Sequence, residues 1–192
     1  MNILLLGPQG SGKGTQAKRL AGEYGLAHVA TGDLLREEID AGTEFGKQVG
    51  PILASGGLVP DDQMIELIRA RLQDDAAQDG FVLDGFPRTQ PQAEALDKML
   101  QEIDRPLTVV FALDISDDSC KERLLKRAEE EGREDDTPEV IERRLRTYHE
   151  QTEPLIEHYR TRGNFVPIHA DRPIDSVFAE IQKALDHVEA RT

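Results

Sequence analysis

A glycine-rich run with a lysine near its end stands close to the start of the chain, with the sequence GPQGSGKGT at residues 7–15. Glycines at this spacing let successive backbone N–H groups turn towards one anion, and Lys13 adds a full positive charge. An apolar segment precedes the run and a segment of helical periodicity follows it, so the positive end of a helix would face the same anion. A tight turn alone would explain the glycines but not Lys13. The run therefore predicts a loop that binds nucleotide phosphates.

One position departs from the general form of this loop, which has serine or threonine directly after the lysine as a ligand for Mg²⁺. Gly14 stands there and Thr15 follows, so direct ligation by the loop hydroxyl is not expected. Asp84, at the end of a second apolar run, is the candidate to hold Mg²⁺, directly or through water. Arg88, with its planar fork of donors, suits bidentate binding of a phosphate. Taken singly, these two residues could equally be a helix cap and a solvated surface group.

Arginines are concentrated in one stretch of an otherwise acidic chain. Lysine and arginine number 23 against 37 aspartates and glutamates, which gives a net charge of −14. This charge opposes binding to nucleic acid and to anionic membranes, so we expect neither as a partner. A locally basic stretch in such a chain predicts an anion site of small extent. Its members are Arg123, Arg127, Arg133, Arg143, Arg144 and Arg146. Taken individually, Arg143 and Arg146 are better interpreted as part of a solvated helix face.

Cysteine and histidine give no sign of a metal centre or of an oxidising compartment. Cys120 is the single cysteine of the 192 residues, which excludes an intrachain disulfide and a zinc site of several Cys ligands. Its spacing from Leu124 predicts a core position rather than a nucleophile. No apolar run approaches the ~20 residues needed to span a bilayer. We therefore expect a cytoplasmic protein without zinc.

The elements that position these residues follow from apolar periodicity. Runs at residues 3–6, 81–83, 109–113 and 165–168 predict strands buried on both faces, as in a parallel sheet covered by helices. Pro167 places the last of them at a sheet edge. Segments with helical spacing separate the runs, which predicts an α/β protein. Their apolar positions are Ala17, Leu20, Ala21 and Tyr24; Ile65, Ile68 and Leu72; and Ile174, Val177, Phe178, Ile181, Leu185 and Val188.

A further helix is predicted by its own start and stop signals. Thr137 is a favoured cap and Pro138 a favoured first residue. Pro154 should kink or end this helix. Its predicted buried face consists of Ile141, Leu145, Tyr148 and Thr152.

Two stretches do not fit a simple alternation of strands and helices. Residues 31–61 are rich in helical pattern and glycine, and residues 129–136 are strongly charged. We interpret both as insertions above the carboxyl edge of the sheet. Internal repeats and low-complexity linkers are absent, so residues 1–192 are expected to form one domain.

Several motifs together resemble adenylate kinase, in order and spacing along nearly the whole chain. They are the run at residues 7–16, Thr31-Gly32-Asp33 with Arg36, GLVP at residues 57–60, and DGFPRT at residues 84–89 with Gln92. The resemblance implies ATP + AMP ⇌ 2 ADP on a P-loop, three-layer α/β fold with a five-stranded parallel sheet. It further implies an AMP-binding insertion at residues 30–59, a short lid insertion at residues 126–136, Mg²⁺ with ATP, and a monomer.

The resemblance also assigns expected roles, residue by residue. The ATP phosphates would be held by Gly10, Ser11, Gly12, Lys13, Gly14 and Thr15, with Arg123, Arg127 and Arg172 on the ATP side. AMP would be bound by Thr31, Arg36, Gly57, Leu58, Val59, Gly85, Phe86, Pro87 and Arg88, with Gln92 at the adenine. Arg133 and Arg144 would meet the transferring phosphates from the lid side. The expected catalytic residues are Lys13, Arg88, Arg123, Arg133 and Arg144.

Two features depart from the commonest pattern of that family, and other functions remain open on the sequence alone. Gln9 stands where proline is usual, and the lid is too short for the zinc-bearing form. A UMP/CMP kinase shares the loop and the run GFPR, although Thr31 favours AMP. A GTP-binding switch would carry an Asn-Lys-x-Asp motif, which neither Asn2 nor Asn164 begins. A pure binding module would leave the arginine stretch unexplained.

Overall fold

The computed structural model describes residues 1–133 and 135–189. Glu134, inside the predicted lid at residues 126–136, lies outside the described residues, as do residues 190–192. Within the described part, no helix is both long and apolar enough to cross a membrane.

The described residues form one sheet of five parallel strands in the order β2-β3-β1-β4-β5. The strands are β1 (Asn2–Leu6), β2 (Ala27–Ala30), β3 (Phe81–Asp84), β4 (Val109–Asp114) and β5 (Phe165–His169). Helices cover both faces of the sheet, which confirms the predicted α/β fold. Pro167 lies in β5 at the edge of the sheet, where its missing N–H costs no ladder hydrogen bond.

The helices of the described residues connect the strands, several in succession between β2 and β3 and between β4 and β5. They are α1 (Lys13–Tyr24), α2 (Thr31–Asp40), α3 (Glu44–Ala54), α4 (Asp61–Gln73), α5 (Gln90–Glu102), α6 (Asp117–Glu131), α7 (Pro138–Thr147), α8 (Leu155–Arg160) and α9 (Ile174–Glu189). Leu4 and Leu6 of β1 enter a core that α4 and α5 complete, whereas Ile3 and Leu5 enter a core that α1 and α9 complete. Burial on both faces explains why β1, β3 and β4 are continuously apolar. The edge strand β5 is only partly buried, so the expected burial on both faces does not hold there.

Strand β2 is the element that the apolar pattern alone does not show. Its sequence, Ala-His-Val-Ala, lacks a run of β-branched residues, and it pairs only with β3 at the sheet edge. Its assignment therefore comes from pairing rather than from local preference. The two stretches without strands form the helix pair α2 and α3 and the junction between α6 and α7. Residues 126–131 of the predicted lid belong to α6.

The predicted break at Pro154 is confirmed, and its form positions a functional region. Helix α7 ends at Thr147, and a wider π-turn follows at Tyr148–Thr152. The N–H of Glu153 donates to the carbonyl of Tyr148 at 2.8 Å, a bond that spans five residues instead of four. Pro154 has no N–H and its ring would clash with the carbonyl four residues earlier, so the wider turn relieves the clash. Thr152 consequently ends the turn as a buried residue, 7% exposed.

His149 fastens this π-turn to the start of α6. Its Nε2 lies 2.9 Å from Asp117 and its Nδ1 lies 2.8 Å from Glu153. A neutral imidazole has one N–H, so only the protonated ring donates to both carboxylates. Hydrogen bonds with Glu153 and then Asp117 raise the pKa of His149 above its ordinary value. The hydrogen bonds that connect the π-turn to α6 therefore depend on the protonation of His149.

The tight contact between α2 and α3 predicts a strong effect of one substitution. A Cβ on Gly46 would lie 2.0 Å from the carbonyl oxygen of Glu38, so the helices would have to separate. We expect Gly46→Ala to destabilise the pair by about 1–3 kcal/mol, in urea unfolding and in amide hydrogen exchange of α2 and α3. Gly50→Ala, in the same helix, meets only Ile39 at 3.9 Å and should stabilise α3 by about 0.5–1 kcal/mol. Equal stability of the two variants would contradict this packing.

The two hydrogen bonds of His149, to Asp117 and Glu153, predict a stability that depends on pH. Because the pKa of His149 is raised on folding, its contribution is complete below pH 6.5 and is lost as pH rises through the folded-state value. The wild-type protein should therefore be more stable than His149→Gln at low pH, by less than about 1 kcal/mol because the site is partly exposed. This difference in unfolding free energy should shrink as pH rises from 6.5 through the folded-state pKa of His149. Asp117→Asn and Glu153→Gln should flatten the dependence. A difference that grows with pH would contradict this role of His149.

Candidate active site

A cleft of about 910 Å³ opens at the carboxyl edge of the sheet. It brings together residues from distant parts of the sequence, because the loops after parallel strands meet at one edge. Of the residues predicted from the sequence, its lining includes Gly10, Gly12, Lys13, Gly14, Thr15, Thr31, Arg36, Gly57, Leu58, Asp84, Gly85, Pro87, Arg88, Arg123, Arg127, Arg133, Arg144 and Arg172. Four others are buried behind the lining: Ser11, Val59, Phe86 and Gln92.

The glycine-rich loop rests directly on α6. Gly10 has a φ of +84°, and a Cβ there would lie 2.8 Å from the carbonyl oxygen of Cys120. Only glycine fits this conformation and this approach. Cys120 is fully buried, as predicted, and burial raises the pKa of its thiol to about 11, so it is no nucleophile at neutral pH. The loop's shape is therefore set by the helix that also carries Arg123 and Arg127.

Lys13 is folded back over its own loop. Its Nζ donates to the carbonyl oxygens of Gly7 and Pro8, each at 2.7 Å. Burial lowers the pKa of Lys13 to about 8, and the nearby Asp84 carboxylate opposes part of that shift. The lysine is thus a charged donor at neutral pH whose bonds to the backbone can be exchanged for bonds to an anion.

Asp84 ends β3 beside the first turn of α1. A Cβ on Gly14 would lie 3.5 Å from Oδ2 of Asp84, so glycine keeps the space in front of the carboxylate open. Carboxylate oxygen and water are the ligands that Mg²⁺ prefers. The donor chemistry at this point fits Mg²⁺. Among the described residues, no group of three or more His, Cys, Asp or Glu side chains is arranged to hold a metal ion.

Arg88 is held through both its main chain and its side chain. Its N–H donates to Oε1 of Gln92 at 2.8 Å, and its carbonyl accepts from the hydroxyl of Thr152 at 2.8 Å. Its Nε donates to the carbonyl of Gly85 at 2.8 Å, and the hydroxyl of Thr31 donates to that carbonyl at 3.0 Å. Burial lowers the pKa of Arg88, although guanidinium stays charged at neutral pH.

Gln92 lies behind Arg88 rather than at the cleft surface. It is 2% exposed, and its Nε2 donates to Asp61 at 2.8 Å while its Oε1 holds the Arg88 backbone. Its predicted place at an adenine stays a prediction. What the structure adds is a support for Arg88 from the first turn of α5.

One charge cluster, centred on the buried Asp136, holds two arginines of the lid side. Arg127 from α6 donates to Asp136 at 2.6 Å, and Arg144 from α7 donates to the other oxygen of the same carboxylate. The Asp136 side chain is fully buried. Arg144 also pairs with Asp135 at 2.6 Å; burial opposes the resulting shift, yet the pair holds the pKa of Asp135 below its usual value. Carboxylates thus bind the guanidinium groups where phosphates would be expected.

The remaining arginines are anchored near the rims of the cleft. Arg36 donates to Asp33 at 2.6 Å, and Arg133 donates to Glu131 at 2.7 Å. Arg123 donates to the carbonyl of Ala170 at 3.1 Å. Arg172 pairs with Glu180 of α9 and donates to the carbonyl of His169 at 2.9 Å.

Sequence reasoning missed some residues that line the cleft. Lys18, His28, Tyr148 and Thr152 belong to the lining, and none was a candidate site residue. His28 lies in the strand that the apolar pattern does not show. Tyr148 and Thr152 were predicted only as one buried helix face, and the π-turn gives Thr152 a polar partner that helical spacing cannot reveal.

Comparisons with known proteins agree with this geometry. A family model described as Adenylate kinase matches residues 5–164. An adenylate kinase of Stenotrophomonas maltophilia (strain K279a) is 44% identical over 96% of this chain and 99% of its own length. An adenylate kinase of Nitrobacter winogradskyi is 46% identical over 96% of this chain and 93% of its own length. One from Synechococcus sp. (strain RCC307) is 46% identical over 95% of this chain and 97% of its own length.

These matches include the glycine-rich loop, the segment around Arg88 and the arginines of α6 and α7, which the fold brings to one cleft. Because sequence similarity covers the elements that build the site and nearly the whole length of the relatives, the chain belongs to the adenylate kinase family.

Proposed function

We propose that this protein catalyses the reversible transfer of a phosphoryl group, ATP + AMP ⇌ 2 ADP. The observation that carries the proposal is the cleft itself, in which the loop of Lys13 and the segment of Arg88 face the same space. Two phosphate-binding devices in one cleft suit a donor and an acceptor that both carry phosphate. A single-nucleotide switch needs only the first device.

The chemistry needs no general base. The acceptor oxygen belongs to the phosphate of AMP and is already anionic at neutral pH. The difficulty is the contact between two polyanions, and positive charge placed before reaction lowers that barrier. We assign Lys13, Arg88, Arg123, Arg133 and Arg144 to this role, with Arg127 and Arg172 on the ATP side.

The acceptor side consists of the region around α2, α3 and Arg88. We propose that Thr31, Arg36 and the 57–59 backbone bind AMP, and that the 85–88 segment binds its phosphate. Thr31 is 1% exposed, and its hydroxyl donates a hydrogen bond to the carbonyl of Gly85. Nε of Arg88 donates to the same carbonyl, so these side chains are positioned before AMP binds. Gln92 is proposed to act at the adenine or, through the Arg88 backbone, at the phosphate.

Asp84 would hold Mg²⁺ through water beside the loop, where the open space at Gly14 admits it. Mg²⁺ supplies charge neutralisation on the ATP phosphates when it is bound. The chain's own part is to present the carboxylate at the end of β3, near the ammonium group of Lys13.

Residues 30–59 and 126–136 are proposed as the AMP-binding and lid insertions. Their function would be to exclude water, because water in the closed cleft would accept the phosphoryl group in place of AMP. We propose that the protein acts as a monomer. We propose the cytoplasm as its compartment.

The first test compares AMP with CMP and UMP as acceptors for MgATP. We expect ADP formation to require AMP and to be slower with either pyrimidine nucleotide at equal concentration, as measured by a coupled assay for nucleoside diphosphate. Lys13→Met should lower turnover by orders of magnitude in a folded protein. Faster turnover with CMP or UMP would favour the pyrimidine nucleotide kinase, and tight retention of GTP without transfer would favour a switch.

The second test uses the lowered pKa of Lys13. In the free enzyme Lys13 loses its proton above about pH 8, whereas a lysine bound to phosphate must be charged. The dissociation constant for ATP should therefore rise about tenfold per pH unit above pH 8, with uptake of a proton on binding. Calorimetry in buffers of different ionisation enthalpy measures both.

Lys13→Arg is the matched control, because guanidinium keeps its charge throughout this range. Its affinity for ATP should be nearly constant between pH 8 and pH 9.5, whatever its absolute value. The same slope in both proteins would show that another group titrates.

A further inference from the structure

We propose that Thr152 is a positioning residue for the reaction, acting through the main chain of Arg88. The proposal rests on the proposed function, since it concerns how the acceptor phosphate is met. The hydroxyl of Thr152 donates to the carbonyl oxygen of Arg88 at 2.8 Å, across 64 positions of the sequence. Thr152 is therefore the link between the π-turn and the segment that carries the arginine.

The main chain of Arg88 is held by two hydrogen bonds, one at its N–H and one at its carbonyl. Gln92 accepts from its N–H at 2.8 Å on one side, and Thr152 donates to its carbonyl on the other. The guanidinium is oriented by a third bond, from Nε to the carbonyl of Gly85 at 2.8 Å. Loss of either main-chain support would let the peptide rotate, and the guanidinium would then leave its position at the phosphate.

The hydroxyl of Thr152 distinguishes this residue from an ordinary core residue. Thr152 is 7% exposed, yet it lines the cleft. A valine would fill the same volume, so packing alone does not require the hydroxyl. Without that donor the Arg88 carbonyl would be left unpaired in a partly buried place, which is unfavourable.

Three features of the chain place the hydroxyl at Arg88. Pro154 forces the wider turn, and the bond from Glu153 to Tyr148 closes it. His149 holds the turn against Asp117 at the start of α6. The position of Thr152 is consequently fixed from both ends of the turn, as a positioning role requires.

The test compares Thr152→Val, which keeps the shape, with Thr152→Ser, which keeps the hydroxyl. In calorimetric titration with AMP, we expect Thr152→Val to raise the dissociation constant roughly 3- to 10-fold, the range of one hydrogen bond. Thr152→Ser should match the wild-type protein, and the affinity of all three for ATP should agree within about twofold. If Thr152→Val does not fold, Thr152→Ala against Thr152→Ser makes the same comparison.

Thr108→Val is the matched structural control. The hydroxyl of Thr108 also bonds to the main chain, accepting from the N–H of Asn2 at 3.0 Å, but at the opposite edge of the sheet. It should lose stability and bind AMP normally. A similar loss of AMP affinity in Thr108→Val would assign the effect of Thr152 to general destabilisation and overturn the proposal.

A double-mutant cycle separates action through Arg88 from direct contact with AMP. In an Arg88→Ala background there is no guanidinium to position, so Thr152→Val should cause no further loss of AMP affinity. An additive loss, or wild-type affinity in the single Thr152→Val variant, would overturn the proposal. Failure of the wild-type protein to convert AMP and ATP to ADP would instead overturn the proposed function, and the two failures are distinguishable.

Discussion

Repulsion between like charges is the constraint on which the whole cleft depends. Two unit charges about 4 Å apart repel by about 4 kcal/mol at a surface-like dielectric, so several arginines cannot be gathered without compensation. The protein compensates three of them, Arg127, Arg133 and Arg144, with adjacent carboxylates. Asp136 is shared by Arg127 and Arg144, and Glu131 pairs with Arg133. The acidic composition of the chain therefore supplies the counter-charges that allow its basic site to exist before any nucleotide binds.

The same compensation restricts the rotamers of Arg144, which two carboxylates hold. A guanidinium bound at two edges by carboxylates has few rotamers left, so less entropy is lost when phosphate binds. Asp136 connects helices α6 and α7, and His149 connects α6 to the π-turn. The helices that carry Arg127 and Arg144 and the support of Arg88 are thus linked through these contacts. The sheet determines where the strands end, and thereby where Asp84 lies.

Much of this arrangement could be predicted from sequence, because local rules dominate it. Continuous apolar runs predicted the central strands, Thr137 and Pro138 predicted the start of α7, and Pro154 predicted the break that follows this helix. Strand β2 escaped the apolar pattern since a short edge strand with two alanines is held by its neighbour rather than by its own preference. The glycine-rich loop and its lysine were recognisable because the spacing is itself the requirement.

The partners of the site residues could not be predicted in the same way. Nothing in the spacing of Gln92 shows that its amide is occupied by Asp61 and the Arg88 backbone. The shared carboxylate of Asp136 and the hydroxyl of Thr152 likewise depend on helix packing and on a single π-turn. Sequence identifies which groups meet in the cleft, whereas three-dimensional packing decides which of them face it and which support it.

The resting position of Lys13 has a consequence for selectivity among anions. Its ammonium group already has two carbonyl partners, so an incoming anion replaces bonds instead of adding them. A small inorganic ion such as chloride offers one weak acceptor and gains little from the exchange. A polyphosphate chain, bound as proposed, would engage the ammonium and the loop N–H groups together and so compensate for the bonds that are broken. The loop would therefore bind polyphosphate in preference to the small anions of the surrounding salt.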